Sequence, residues 1–139
     1  MQDKETKHLI AELELVMRSF IRDFKKELNE ILGEGFTSSE FSFLRAMYDS
    51  SCQNVSSLAS MLNVSNSHAT SVMDRLVDKG LITRGRSEQD RRVVVFTLTE
   101  TGTEIFKSLH DKREAYMEER FSKLSSKEIK ELIRIFNRL

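Results

Sequence analysis

Apolar positions in the first part of the chain fall on a helical period. Leu9, Leu13, Val16, Met17, Phe20, Phe24, Leu28 and Ile31 recur at steps of three and four, which places them in one stripe along a helix. Gly33 and Gly35 end that pattern. Thr37-Ser-Ser-Glu40 follows with the spacing of a capping box, in which the hydroxyl and the carboxylate each satisfy a free backbone N–H. A second helix is expected to carry Phe41, Phe43, Leu44 and Met47 and to stop in the polar run from Asp49 to Asn54. Two short helical patterns then stand close together. Leu58, Ala59 and Leu62 belong to the first, and Ala69, Val72, Met73, Leu76 and Val77 to the second. Asn63-Val64-Ser65 between them predicts a tight turn with Ser65 as the next N-cap, and Gly80 is placed to close the second helix in a left-handed conformation.

Beyond Gly80 the period changes. Leu81 to Arg84 and Arg92 to Leu98 are rich in β-branched residues and predict two strands, joined by the polar link Gly85-Arg-Ser-Glu-Gln-Asp-Arg91. Thr99 is placed to cap a long helix with Ile105, Leu109 and Tyr116 on its inner face. Ser125-Ser-Lys-Glu128 is a second capping box, opening a last helix with Ile129, Leu132, Ile133 and Phe136. With no proline in the chain, nothing interrupts the long helices. The predicted order is three helices, a recognition-type helix, a two-stranded hairpin and two further helices. That is a mainly α chain built around a winged helix-turn-helix.

Composition limits what such a chain can be. Its 139 residues suit a single domain, and 39% apolar with 32% charged residues describe a folded, highly charged protein. No apolar run approaches the roughly 20 residues of a membrane span, so no membrane partner is expected. Residues 1–7 lack the apolar stretch of a signal peptide, and a single cysteine forms no internal disulfide, so a cytoplasmic setting is expected. The formal net charge is zero, which weighs against a purely electrostatic binder of nucleic acid. Distribution matters more than the sum, because salt limits a charge's reach to about 8–10 Å. Between Gly80 and Val93 the cations Arg84, Arg86, Arg91 and Arg92 face only Glu88 and Asp90, whereas anions concentrate in Asp3 to Glu34 and Glu114 to Glu119.

The segment Asn66–Lys79 carries the candidate chemistry. Its apolar face anchors it, and its other face presents Ser67, His68, Thr70, Ser71, Asp74 and Arg75. Short polar side chains let a helix approach base edges in a major groove about 12 Å wide. The helix start at Ser65 and Asn66 offers free N–H groups and a positive dipole end to a phosphate. The hairpin tip can place an arginine in the adjacent minor groove. A polar-faced helix followed by a hairpin also occurs in domains that never meet DNA. A winged-helix adaptor acting through protein contacts is the alternative, and its mark would be a helix and wing without cations. Here Arg75, Arg84, Arg86, Arg91 and Arg92 stand in those positions.

Four pieces stand in order along the chain: Val55-Ser-Ser-Leu-Ala-Ser-Met-Leu-Asn-Val-Ser65, Asp74-Arg-Leu-Val-Asp-Lys-Gly-Leu-Ile82, Asp90-Arg-Arg92 and Leu98-Thr-Glu-Thr-Gly102. Together they closely resemble the MarR family of bacterial transcriptional regulators, over nearly the whole chain. The resemblance implies a homodimer, with residues 1–35 and 99–139 as dimerisation helices and 37–98 as the winged DNA-binding lobe. It implies a sequence-specific regulator, with repression the expected sense, binding a pseudo-palindromic double-stranded operator through a recognition helix at Asn66–Lys79 and a wing at Ile82–Thr97. Carried onto this chain, Asp90 would stabilise the wing by pairing with a nearby arginine, Arg92 would reach the minor groove, and Arg91 would contact phosphate. The competing view makes Asp90 a solvated turn residue and the arginines surface filler.

Relatives in that family respond to small phenolic or lipophilic ligands, to thiol oxidation or to metals. Phe20, Phe24, Phe41, Phe43, Met47 and Tyr48 could line a cleft for a small effector, although the same residues at helical spacing serve equally as core. Cys52 is the only thiol and lies in a polar segment with no evident activating partner; a redox-responsive regulator using Cys52 is the second alternative. Family members that sense peroxide carry a thiol near the start of the first helix, and this chain has none there. His8, His68 and His110 lack the spacing of a metal site, so neither metal nor cofactor is expected. No G-x-S-x-G, phosphate loop or catalytic grouping points to an enzyme.

Overall fold

A computed structural model describes residues 3–33, 35–50 and 52–139, the side chains of Cys52 and Gln53 excepted. The elements run α1 (Lys4–Leu32), α2 (Ser38–Asp49), β1 (Cys52–Gln53), α3 (Val55–Leu62), α4 (Asn66–Asp78), β2 (Ile82–Arg86), β3 (Val94–Leu98), α5 (Glu100–Arg120) and α6 (Ser126–Asn137). Each helix starts where a side-chain oxygen accepts a free backbone N–H: Asp3 from Thr6, Thr37 from Glu40, Asn54 from Ser57, Ser65 from His68, Thr99 from Gly102 and Ser125 from Glu128. The α3–α4 turn pivots on Asn63, whose φ of 55° lies in the left-handed region that asparagine tolerates. Gly80, at φ 74°, ends α4 as its sequence position predicts.

The two capping boxes part company. Ser125 and Glu128 form the reciprocal pair. At Thr37 only the hydroxyl half forms, because the Glu40 carboxylate turns inward to Arg75 on α4 and Lys79 at its C-terminal end. A second difference lies in the sheet, which has three strands in the order β1-β3-β2 rather than the two of the hairpin. Cys52 and Gln53 pair antiparallel with Thr97 and Phe96, so the polar run after α2 closes the outer edge of β3. The hairpin arms are also offset from the expected ones: the first runs on past Arg84 to Arg86, whereas the second starts at Val94 and not at Arg92. β2 pairs with β3 from Ile82 opposite Leu98 to Arg86 opposite Val94, leaving a tip at 87–93.

The core lies between α2, α3, α4, the sheet and the first half of α5, around Phe43, Leu44, Met47, Leu58, Val72, Met73, Leu76, Leu81 and Phe106. Phe106 falls outside the inner face that the sequence predicts for α5, yet it packs against Phe41 and Tyr48 with ring centroids 5.6 and 4.8 Å away. The α1 stripe behaves differently. Leu32 is buried, but Leu9, Leu13, Val16 and Met17 are exposed, and so are Ile129, Leu132, Ile133 and Phe136 on α6. Phe20 and Phe24 meet Phe121 where α5 ends. Among the described residues, no helix is long and apolar enough to cross a membrane.

Candidate nucleic-acid interface

Helix α4 buries Ala69, Val72, Met73 and Leu76 and turns its other face outward. Asn66, Ser67, His68, Thr70, Ser71, Asp74 and Arg75 are all exposed, as the helical period predicts. Ser65 is exposed too, but its hydroxyl oxygen is occupied by the His68 N–H at 3.1 Å. The His68 ring rests edge-on against Phe43, centroids 6.4 Å apart, which restricts the imidazole on an otherwise open face.

The arginines divide into two groups. Arg86 and Arg91 are exposed and make no ion pair among the described residues. Arg92 is 92% exposed along its side chain, yet its Nε and Nη2 donate to the two Asp90 carboxylate oxygens at 3.1 and 3.2 Å. The Arg92 backbone N–H also donates to the Asp90 carboxylate, and the Val93 N–H donates to the Asp90 carbonyl, so both acceptor groups of Asp90 are engaged within the hairpin tip. These hydrogen bonds, the guanidinium's first, hold the Asp90 carboxyl below the usual carboxylate range. The other two arginines are held by the protein. Arg84 donates to Asp74 at 2.8 Å and lies over the Phe96 ring at 5.5 Å, tying the root of the wing to α4. Arg75 faces Glu40 at 3.8 Å and donates to Ser71 at 3.2 Å. Sequence spacing does not show the contact with Glu40, because Glu40 is 35 positions before Arg75 and reads locally as a cap.

Of the six residues read as a possible effector cleft, Phe20 is exposed and Phe24 half-buried on α1. Phe41, Phe43 and Met47 are buried, while Tyr48 is exposed. An open cleft of about 240 Å³ does lie between α2, α3 and α5, lined by Phe41, Arg45, Met61 and Arg113 among others. A narrower one of about 90 Å³ shares Phe41, Ser42 and Arg113 with it and reaches Leu28 and Ile31 on α1. The Cys52 side chain lies outside the described residues. Among those residues, no group of three or more His, Cys, Asp or Glu is gathered as a metal site requires.

A helix-turn-helix with a polar recognition face, joined through Arg84 and Asp74 to a hairpin with a cationic tip, defines a winged-helix DNA-binding protein. The sequence profile of the MarR family matches residues 36–94, and the chain belongs to that family. It is similar to YpoP, an uncharacterized HTH-type transcriptional regulator of Bacillus subtilis (strain 168), at 34% identity over 131 residues, covering 94% of this chain and 93% of YpoP. The HTH-type transcriptional repressor MdtR of the same strain is 28% identical over 127 residues, 91% of this chain and 82% of MdtR. The fold matches that of a mutant MarR from E. coli complexed with operator DNA, with a TM-score of 0.79 at 24% identity, covering 99% of this chain and 98% of that one. The chain is thus a DNA-binding transcriptional regulator, and its relatives are regulators rather than enzymes.

Proposed function

We propose that this regulator is a cytoplasmic repressor that binds a pseudo-palindromic operator as a homodimer. The carrying observation is the pairing of an exposed polar face on α4 with an exposed arginine tip on the wing. In this reading Asn66, Ser67, His68, Thr70 and Ser71 approach base edges in the major groove, with the helix start at Ser65 against a phosphate. Arg92 enters the minor groove with Asp90 ordering it, and Arg86 and Arg91 meet phosphates. Arg75 and Arg84 contribute from the helix and the wing root, each already held by a carboxylate. MdtR, a relative, carries the name of repressor, which supports the sense of regulation.

The lobe spanning residues 37–98 reads the DNA, and the helices at 1–35 and 99–139 join two copies. In this reading a small phenolic or lipophilic effector would take the cleft beside Phe41 and Arg113, whose lining residues come from both parts. Footprinting and a salt titration test the reading together. In a two-fold dimer the recognition helices enter successive major grooves about 34–36 Å apart, so the protected site should be symmetric, with half-sites about one turn apart. If the dimer neutralises about five phosphates, log affinity against log salt should slope near −4 or −5, from about −0.9 per phosphate. A short asymmetric footprint contradicts the dimeric mode, and a slope near zero removes the arginine wing from it.

A further inference from the structure

Among the described residues, Glu40 alone is both charged and buried, with 2% of its surface exposed. A carboxylate is taken out of water only where cations and donors replace that water. Here both oxygens are engaged. Oε2 accepts from Lys79 Nζ, which also donates to the Gly35 carbonyl and lies over the Phe36 ring at 4.6 Å. Oε1 accepts from the Thr37 hydroxyl at 3.3 Å and faces Arg75 Nε at 3.8 Å. The latter distance is too long for a hydrogen bond and is a charge–charge contact, effective because one partner is shielded from solvent. Arg75 then donates from Nη1 to Ser71 Oγ at 3.2 Å. Arg75 and Ser71 both lie on the exposed face of α4.

The chain of contacts runs from a buried carboxylate to a half-exposed guanidinium to an exposed hydroxyl. An arginine free in water samples many rotamers and follows any phosphate that approaches. One pinned from below keeps its planar fork in a preset direction, and ordering done before binding need not be done during it. We infer that Glu40 is a positioning residue for sequence recognition: from beneath the helix it orients Arg75, and through Arg75 the Ser71 hydroxyl, without itself touching DNA. The inference rests on α4 being the recognition helix. It also gives Glu40 a second effect, since a carboxylate that holds Arg75 back lowers the attraction this arginine offers to DNA of any sequence.

Glu40→Gln tests this by removing the charge at nearly constant shape. The probes are a duplex enriched from a random-sequence pool by the wild-type full-length chain, and a shuffled duplex of the same length. Affinity for both is measured for wild type, E40Q, R75A and the double variant, with a thermal melt of each. E40Q should lose roughly tenfold in selectivity, while its affinity for the shuffled duplex holds or rises. Adding E40Q to R75A should cost no further selectivity, because Glu40 acts through Arg75. Three results overturn the inference: wild-type selectivity in E40Q, equal losses on both duplexes, or the same E40Q loss in the R75A background. Should E40Q fail to fold, Arg75→Lys keeps the charge but removes the fork that bridges to Ser71. It should lose selectivity with its melt unchanged, and wild-type selectivity in R75K overturns the inference. A wild-type chain that enriches no sequence overturns the recognition-helix reading and this inference with it. An enriched sequence read equally well by E40Q overturns the inference alone.

Discussion

Arg92 illustrates how one residue can be ordered and still available. Two side-chain hydrogen bonds and a backbone one to Asp90 set its direction, while 92% of the side chain remains open to solvent. Asp90 does not withdraw the guanidinium from the surface; it holds it there by two hydrogen bonds. Arg92→Ala should therefore weaken binding to operator and unrelated DNA alike and flatten the salt slope by about 0.9 for each phosphate left unneutralised. Mutation of Ser71 or Thr70 to alanine should instead change the ranking of operator variants. A gel-shift series at several salt concentrations separates the two outcomes. The pairing is insensitive to physiological pH. Because the folded Asp90 carboxyl is held below its unfolded value, the ion pair is complete above the ordinary carboxylate range and breaks only as pH falls through the depressed one. Affinity measured between about pH 6 and 8 should show no step from this pair.

Packing between elements is set by two close approaches along α5. At its start, the Thr99 N–H donates to the Leu81 carbonyl at 3.0 Å and the Thr99 hydroxyl to the Gly80 carbonyl at 2.9 Å, so the end of α4 and the start of α5 share one backbone junction. A Cβ on Gly102 would meet the Leu81 oxygen at 2.0 Å, and that neighbour is backbone. Gly102→Ala should cost roughly 3 kcal/mol of stability, read as a lower urea midpoint. An unchanged midpoint would mean that the junction yields easily. Further along, Tyr116 donates to Glu27 on α1 at 2.6 Å. Burial first, and then this carboxylate, push its phenol up to about 12. A raised value favours the neutral phenol in the folded state. The α1–α5 hydrogen bond is therefore complete below the ordinary tyrosine range and breaks as pH rises through about 12. In a Tyr48→Phe background, near-ultraviolet absorbance should show the Tyr116 phenolate only in that range. A phenolate forming at the ordinary tyrosine value would contradict the hydrogen bond.

Over the whole molecule, apolar surface is unevenly covered. The winged lobe and the first half of α5 share a closed core, but Leu9, Leu13 and Val16 on α1 are 54, 54 and 59% exposed, and Ile133 and Phe136 on α6 are 56 and 58% exposed. Apolar grooves lie along both faces, one lined by Ile10, Leu13, Met17 and Ile21 and the other by Phe121, Ile129, Leu132, Ile133 and Phe136. Faces of this length on a monomer in water favour association, and a two-fold arrangement covers the same patch on both copies. Leu13→Glu together with Ile133→Glu should shift the protein from dimer to monomer at micromolar concentration in sedimentation. It should also lower operator affinity by far more than affinity for a half-site. A parent protein that sediments as a monomer removes the dimer from the mechanism.

Helix number, the α3–α4 turn, the caps at Thr99 and Ser125, the polar face of α4 and the arginine-rich hairpin were all legible in the sequence. Each is written within a few neighbouring residues, as a period, an N-cap or a left-handed glycine. Tertiary structure decided the rest, because the partners lie far apart along the chain. β1 carries no periodic signal in two residues and is defined only by its pairing with β3, whose partner residues lie more than 40 positions away. Phe106 joins the core because Phe41 and Tyr48 on α2 come to meet it. Glu40 reads as the reciprocal half of a capping box until folding brings Lys79 and Arg75 over it. Two cations in a water-poor site then outcompete one exposed backbone N–H for the same carboxylate.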